Sequence, residues 1–263
     1  MLDMDLSGRV ALVTGASKGI GEAAVRLLAD HGALVAFCAR GSEAVESLAS
    51  YSPPSGTGAV RGYTADMADA DSTQQFLDAA TADAGPADIL VNNVGASPSR
   101  NFLFMSDDDW SDLHQLNLMS AVRCTRHCLP HMRKQKWGRV VMVATGAAFS
   151  PNPALIDYAA TKAAMVATAK ALATKYGADN VLTNTIIPGL IRTDMWERAA
   201  AEIAEANDTD AEAIFARNST GVPQGRYGTP EEVASGIVFL ASNAANYING
   251  SCLTIDGGVA SYI

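Results

Sequence analysis

Short apolar runs alternate with longer amphipathic stretches along the whole chain. The runs Arg9–Thr14, Leu34–Ala39, Gly58–Thr64, Asp88–Asn92, Arg139–Thr145, Val181–Ile187 and Cys252–Ile255 read as strands. Between them, apolar positions recur at helical spacing over about Gly19–His31, Ser42–Ser50, Ser72–Ala84, Asp107–Lys136, Ala154–Tyr176 and Pro230–Ser242. This rhythm predicts an α/β chain, a doubly wound parallel sheet of seven strands covered on both faces. The chain reads as a single domain, 1–263, without repeats or low-complexity linkers, and Ser52–Gly58 reads as a surface turn. The rhythm breaks once. Thr193 to Gly225 holds a polar, alanine-rich helical stretch between the sixth and seventh strands. Ligands of such sheets sit beyond the carboxyl ends of the strands, which makes 191–224 a candidate substrate lid.

The first strand runs into Thr14-Gly15-Ala16-Ser17-Lys18-Gly19-Ile20-Gly21 and then into an amphipathic helix. Strand, glycine turn and helix form the context in which glycines signal a dinucleotide. Gly15 permits a tight turn. Gly19 and Gly21 let the backbone approach a pyrophosphate, and the free N–H groups at the helix start face the anion. The spacing here is Gly-x-x-x-Gly-x-Gly. Far downstream, Tyr158 and Lys162 stand four residues apart on one helix face. A free phenol titrates too high for proton transfer at neutral pH. An ammonium beside it favours the phenolate and makes the pair a plausible acid–base for an alcohol or carbonyl.

The bulk numbers narrow the field. The chain has 263 residues, 48% of them hydrophobic, and a net charge of −9. The acidic balance argues against nucleic acid as a partner. No apolar run approaches the roughly 18 residues that a bilayer span needs, and the acidic N-terminus lacks a signal-peptide profile. A soluble, cytoplasmic protein with no membrane partner is the expectation. The four cysteines include no Cys-x-x-Cys and read as reduced thiols. Cys124, His127, Cys128 and His131 share a helical face that could bind zinc. Pro130 disturbs that turn and the expected chemistry needs no metal, so none is assigned.

Taken together, the motifs resemble the short-chain dehydrogenase/reductases over essentially the full chain. The matching elements are the glycine turn, Asp66, Asn92-Asn93-Val94-Gly95, Asn117, Tyr158-x-x-x-Lys162, Asn184-x-x-x-Pro188-Gly189, Thr193 and Asp256-Gly257-Gly258. The chain looks most like the 3-oxoacyl-carrier-protein-reductase-like branch. The resemblance implies a Rossmann fold, a homotetramer built by helix pairing and a small-molecule substrate. It implies Tyr158 as acid–base, Lys162 as its tuner and a ligand of the nicotinamide ribose, and Asn117 as holder of a relay water. The implied cofactor site comprises Gly15, Ser17, Lys18, Gly19, Ile20, Gly21, Arg40, Asp66, Met67, Asn93, Val94, Gly95, Pro188, Gly189, Ile191 and Thr193, besides Tyr158 and Lys162. The enoyl reductase branch spaces its tyrosine and lysine more widely.

Two departures stand out. The usual catalytic serine, thirteen residues before the tyrosine, is Thr145 here, which keeps a hydroxyl but stiffens χ1. Ser150 is the other candidate for that role. Val94 replaces the usual alanine. For cofactor choice, an acid at the end of the second strand favours NAD. That position is Ala39, followed by Arg40, with Lys18 in the turn. Two cations without an acid favour NADP(H), with NAD(H) as the alternative. The expected function is interconversion of a secondary alcohol and a ketone on an apolar or acyl substrate. The rivals are an NAD-linked alcohol dehydrogenase and a nucleotide-binding protein without activity. The substrate lining is expected from Ala96–Met105, Gly146–Ile156 and the lid, stretches that contain Phe102, Phe104, Met105, Phe149, Leu155 and Trp196 without disclosing which of them point inward. Apolar C-terminal residues, Val259, Tyr262 and Ile263, and the long helix 107–136 suggest covered surfaces.

Overall fold

Residue by residue, each central strand feeds two different cores. In the computed structural model, Ala11 and Val13 of β1 (Val10–Thr14) face one hydrophobic cluster, whereas Leu12 faces the other. Strands sandwiched in this way carry apolar side chains on both faces, which is why they read as near-continuous runs. The structure describes residues 2–54 and 56–260, apart from the side chains at 195 and 199.

The other strands are β2 (Leu34–Ala39), β3 (Ala59–Thr64), β4 (Ile89–Asn92), β5 (Gly138–Val143), β6 (Val181–Pro188) and β7 (Cys252–Ile255). All pair in parallel, in the order β3-β2-β1-β4-β5-β6-β7. Helices α1 (Gly19–Asp30), α2 (Ser42–Ala49) and α9 (Pro230–Ala241) supply one core, with Val25, Leu28, Val45, Val233 and Ile237. Helices α3 (Ala70–Ala84), α5 (Ser120–Lys134) and α6 (Ile156–Tyr176) supply the other, with Phe76, Leu77, Met132 and Met165. This is the doubly wound sheet that the alternation predicts. Strand order reverses between β1 and β4, and the crevice at that reversal is where such folds bind ligands.

The helix predicted over 107–136 is not regular. α4 (Asp107–His114) passes through a π turn at Gln115–Met119 into α5. Such a turn inserts one residue into the α-helical ladder. It carries Asn117, which is fully buried. The insertion after β6 forms two helices, α7 (Asp194–Ala206) and α8 (Ala211–Ser219). They pack their own small cluster, in which Trp196 and Phe215 meet the Tyr227 ring edge-on at 5.8 and 5.0 Å. No described helix is long and apolar enough to cross a membrane.

Candidate active site

The turn after β1 is held from the neighbouring strand end. Gly15 and Gly19 take φ of +68° and +58°, values that an L side chain rarely adopts. A β-carbon on Gly21 would lie 2.5 Å from the Gly15 carbonyl oxygen, so the helix start fits only glycine. Asn93 braces the turn by donating its amide to the carbonyls of Thr14 (3.2 Å) and Gly15 (2.9 Å). The Thr14 hydroxyl accepts from the backbone N–H groups of Asn93 and Val94.

These residues form the floor of a long cleft. Gly15, Ser17, Lys18, Gly19 and Ile20 line it together with Arg40, Asp66, Met67, Val94 and Gly95. Ala39, at the end of β2, is buried, while Lys18 and Arg40 are exposed at the mouth. Neither cation has an ion-pair partner among the described residues. Asp66 accepts from the Ala68 N–H in a tight turn at the edge of the cleft. Gly21 lies behind the floor. Thr193 closes the far end, and its hydroxyl is buried with no hydrogen-bond partner. An orphan hydroxyl beside a glycine cradle and two unpaired cations fits a phosphate-bearing dinucleotide.

A second cavity continues from the first. They share Ile20, Asn93, Gly95, Ala96 and Thr193. Tyr158, Lys162, Thr145, Pro188, Gly189 and Ile191 line this second space. The structure thus brings together residues that the motifs single out, although they come from the ends of six strands and from the helices α1 and α6. Thr145 and Tyr158 line the same cavity, and the Thr145 hydroxyl accepts from the Ala147 N–H at 3.3 Å. Lys162 is buried, lies 6.0 Å from the Tyr158 ring centre, and donates to the Val143 carbonyl at 2.9 Å. Asn117 donates to the Ala96 carbonyl and the Thr161 hydroxyl and accepts from the Ala96 N–H. Both amide hydrogens are spent, so a relay water would have to donate to an Asn117 oxygen.

The electrostatics correct one expectation. Spacing alone suggests that Lys162 lowers the phenol's pKa. Burial instead raises the Tyr158 pKa, and the opposing influence is the Thr145 hydroxyl. Lys162 turns to Val143, and burial pushes its own pKa down to about 8. In the unfolded chain that lysine titrates near 10.5. Between these values the unfolded state holds a proton that the folded state lacks, so stability rises with pH across that window. Below pH 8 the folded protein bears the full cost of a buried ammonium. Lys162→Met is therefore expected to be more stable than the parent at pH 7. The gain is about 2 kcal/mol once the lost Val143 bond is subtracted, and it should shrink as pH rises above 8. Urea titrations over a pH series check this, and a less stable variant at pH 7 would refute it.

All three expected stretches contribute to the lining: Ala96 and Ser97 from the first, Ala147, Ser150, Asn152 and Leu155 from the second, and Trp196 from the lid. Phe102, Phe104 and Phe149 are exposed and, with Met105, lie outside the cavity. Apolar composition reports a position's character but not its direction. Leu190 and Val259 join the lining from outside those stretches. The polar members of the lining carry no pattern that a single sequence displays. Trp196 packs on Tyr227 and also lines the cavity; the Met195 side chain lies outside the described residues, as do Tyr262 and Ile263. The four residues weighed as a zinc set diverge. Cys124 and Cys128 are buried in the core, His127 bonds Thr81, and His131 bonds Asp88.

A glycine-cradled cleft opening onto a phenol and a buried lysine defines the class: an oxidoreductase acting on CH–OH groups with a nicotinamide dinucleotide. Comparison with known proteins agrees. A family model described as enoyl-(acyl carrier protein) reductase matches residues 15–260. The chain is 36% identical over 256 residues to a 3-oxoacyl-[acyl-carrier-protein] reductase of Vibrio cholerae, covering 97% of this chain and 99% of the relative. It is 35% identical to an uncharacterized oxidoreductase of Bacillus subtilis, covering 98% of each. Its structure superposes with a TM-score of 0.95 on L-sorbose reductase of Gluconobacter frateurii complexed with NADPH and L-sorbose. That pair shares 33% identity over 99% of this chain and 100% of the other. The chain belongs to the short-chain dehydrogenase/reductase family.

Proposed function

We propose that this protein is an NADP(H)-dependent oxidoreductase interconverting a secondary alcohol and a ketone. The observation that carries the reading is the placement of Tyr158, Thr145 and Lys162 together in the wall of the cavity that adjoins the glycine-cradled cleft. When bound, the nicotinamide supplies or accepts the hydride. Tyr158, protonated at neutral pH, donates its proton to the carbonyl oxygen in reduction. Thr145 orients that hydroxyl and shares the substrate oxygen. Lys162 holds the ribose, and Thr193 gives its unpartnered hydroxyl to the nicotinamide end. The glycine turn, Ile20 and Gly95 bear the pyrophosphate, and Asp66 and Met67 flank the adenine. Pro188, Gly189 and Ile191 back the nicotinamide ring. Lys18 and Arg40 select the 2′-phosphate, a reading that the NADPH complex of the sorbose reductase supports.

Ser97, Ser150 and Asn152 give the lining of the substrate cavity a polar share beside Leu155, Leu190 and Trp196. That shifts the substrate from wholly apolar towards a compact hydroxylated ketone, the chemistry of L-sorbose. Residues 191–224 act as the lid, with Trp196 as its inner face. The family model's description names enoyl reduction, but a tyrosine and lysine one helical turn apart favour the carbonyl. NADPH oxidation should be followed with ketoses, small aliphatic ketones and 3-oxoacyl and enoyl thioesters. Hydroxylated ketones should give the highest kcat/KM. Reduction of the enoyl thioester alone would overturn the reading.

The assembly proposed is a homotetramer. Val122, Leu129, Leu172 and Tyr176 line an apolar groove between α5 and α6. The α4–α5 path begins with Asp107, Asp108 and Asp109 and ends with His131, Arg133 and Lys134. Antiparallel pairing with a second copy would set those acids against those bases. A monomeric mass by light scattering would exclude it. The unpaired state of all four thiols suits a cytoplasmic, reducing compartment.

A further inference from the structure

Directly before Tyr158 stands a carboxylate that the motifs do not explain. Asp157 is 1% exposed. One of its oxygens accepts the Tyr158 backbone N–H at 2.8 Å, and the other accepts Arg100 Nη1 at 2.9 Å. Arg100 comes from the segment between β4 and α4. The same guanidinium reaches Asp109 in the first turn of α4, at 3.3 Å to its carbonyl and 3.3 Å to its carboxylate. Asp109 is itself fixed by a capping box with Ser106. The Arg100 backbone N–H also bonds the Ala154 carbonyl, just ahead of α6.

The strip 96–100 is therefore pinned at both ends. Asn117 holds Ala96 through both of its backbone groups, and Asp157 with Asp109 holds Arg100. Ser97, within the strip, lines the substrate cavity, as do Asn152 and Leu155 on the approach to α6. One charged fork thus ties three elements that meet at the phenol. A half-buried arginine paired with a buried carboxylate is a geometric device more than a source of stability, because desolvation offsets much of the attraction.

We propose that Arg100 is a positioning residue for the reaction: through Asp157 it sets the first turn of α6, and with it the place of the Tyr158 hydroxyl, and through Asp109 it holds the wall at Ser97. This rests on the reading of Tyr158 as the acid–base. Misplacing a reacting group by about 1 Å costs on the order of a hundredfold in rate. Arg100→Met should lower kcat by about ten- to a hundredfold and leave NADPH affinity nearly unchanged. It also strands the Asp157 carboxylate and so lowers stability.

The double variant Arg100→Met with Asp157→Asn separates the two effects. It removes the stranded charge, so stability should return while kcat stays low. Arg100→Lys keeps one ion pair and should retain most of the rate. If the double variant regains parental kcat along with stability, Arg100 serves only the fold and the proposal is wrong. Turnover by Arg100→Met at the parental rate would also overturn it. A readout independent of any substrate is the Tyr158 phenol titration by carbon NMR, assigned with Tyr158→Phe. It should move upward in both Arg100→Met proteins as the Thr145 contact loosens, and an unmoved titration in both would refute the clamp. A parent protein that reduces no ketone would defeat the functional reading alone, with the NMR titration still deciding the clamp.

Discussion

Tyr158→Phe is expected to lose turnover by about a hundred- to ten-thousandfold, the usual share of a positioned general acid. The change deletes one oxygen. The ring stays over Lys162, and the glycine turn that bears the cofactor is untouched, so NADPH should bind within about twofold of the parent. Thr145 offers a second hydroxyl to the same cavity. Thr145→Ser keeps that hydroxyl and should be tolerated. Thr145→Ala removes the influence that opposes burial and should slow the chemistry without abolishing it. Steady-state rates and NADPH fluorescence titrations on the three variants check the set. Tyr158→Phe turning over within tenfold of the parent would place proton delivery elsewhere, and parental rates in Thr145→Ala would move the second hydroxyl to Ser150, which lines the same cavity.

NADPH should outperform NADH by one to two orders of magnitude in kcat/KM. Each charge-assisted hydrogen bond to a 2′-phosphate contributes about 1.5–3 kcal/mol. Arg40 and Lys18 stand at the cleft mouth, where such a phosphate would lie, and the preceding position is a buried alanine. Arg40→Ala should cost NADPH most of its advantage and NADH little. Ala39→Asp adds an acid able to bond the ribose 2′-hydroxyl and repel the phosphate. Combined, the two changes should reverse the preference. An NADH preference in the parent would sink the assignment.

These expectations draw on parts of the molecule that differed in how far the sequence disclosed them. The central strands were legible because burial on both faces writes itself as apolar runs, the half-exposed edge strands β3 and β7 only by their place in the alternation, and predicted ends fall within a turn of the observed ones. The glycine turn and the Tyr158–Lys162 pair were legible because their meaning lies in local spacing. Arg100 and Asp157 were not, since residues 57 positions apart read separately as ordinary solvated charges. The directions of Phe102 and Phe104 stayed closed for a related reason: nothing local tells an aromatic residue whether the cavity lies in front of it or behind it. The pull of Thr145 on the phenol needed the folded site, because β5 and α6 meet only there.

The π turn also has a consequence beyond the burial of Asn117. One extra residue in a helix of 3.6 residues per turn rotates everything beyond it by about 100°. The stretch that reaches Arg100 and the stretch that carries the α5–α6 groove are thus out of phase, as two gears on one shaft can be keyed at different angles. The chain can alter the face of α5 that lines the groove without rotating the end of α4 that reaches Arg100. Deleting any single residue from 115–119 would lock the two together, and one rigid rod would then have to satisfy both.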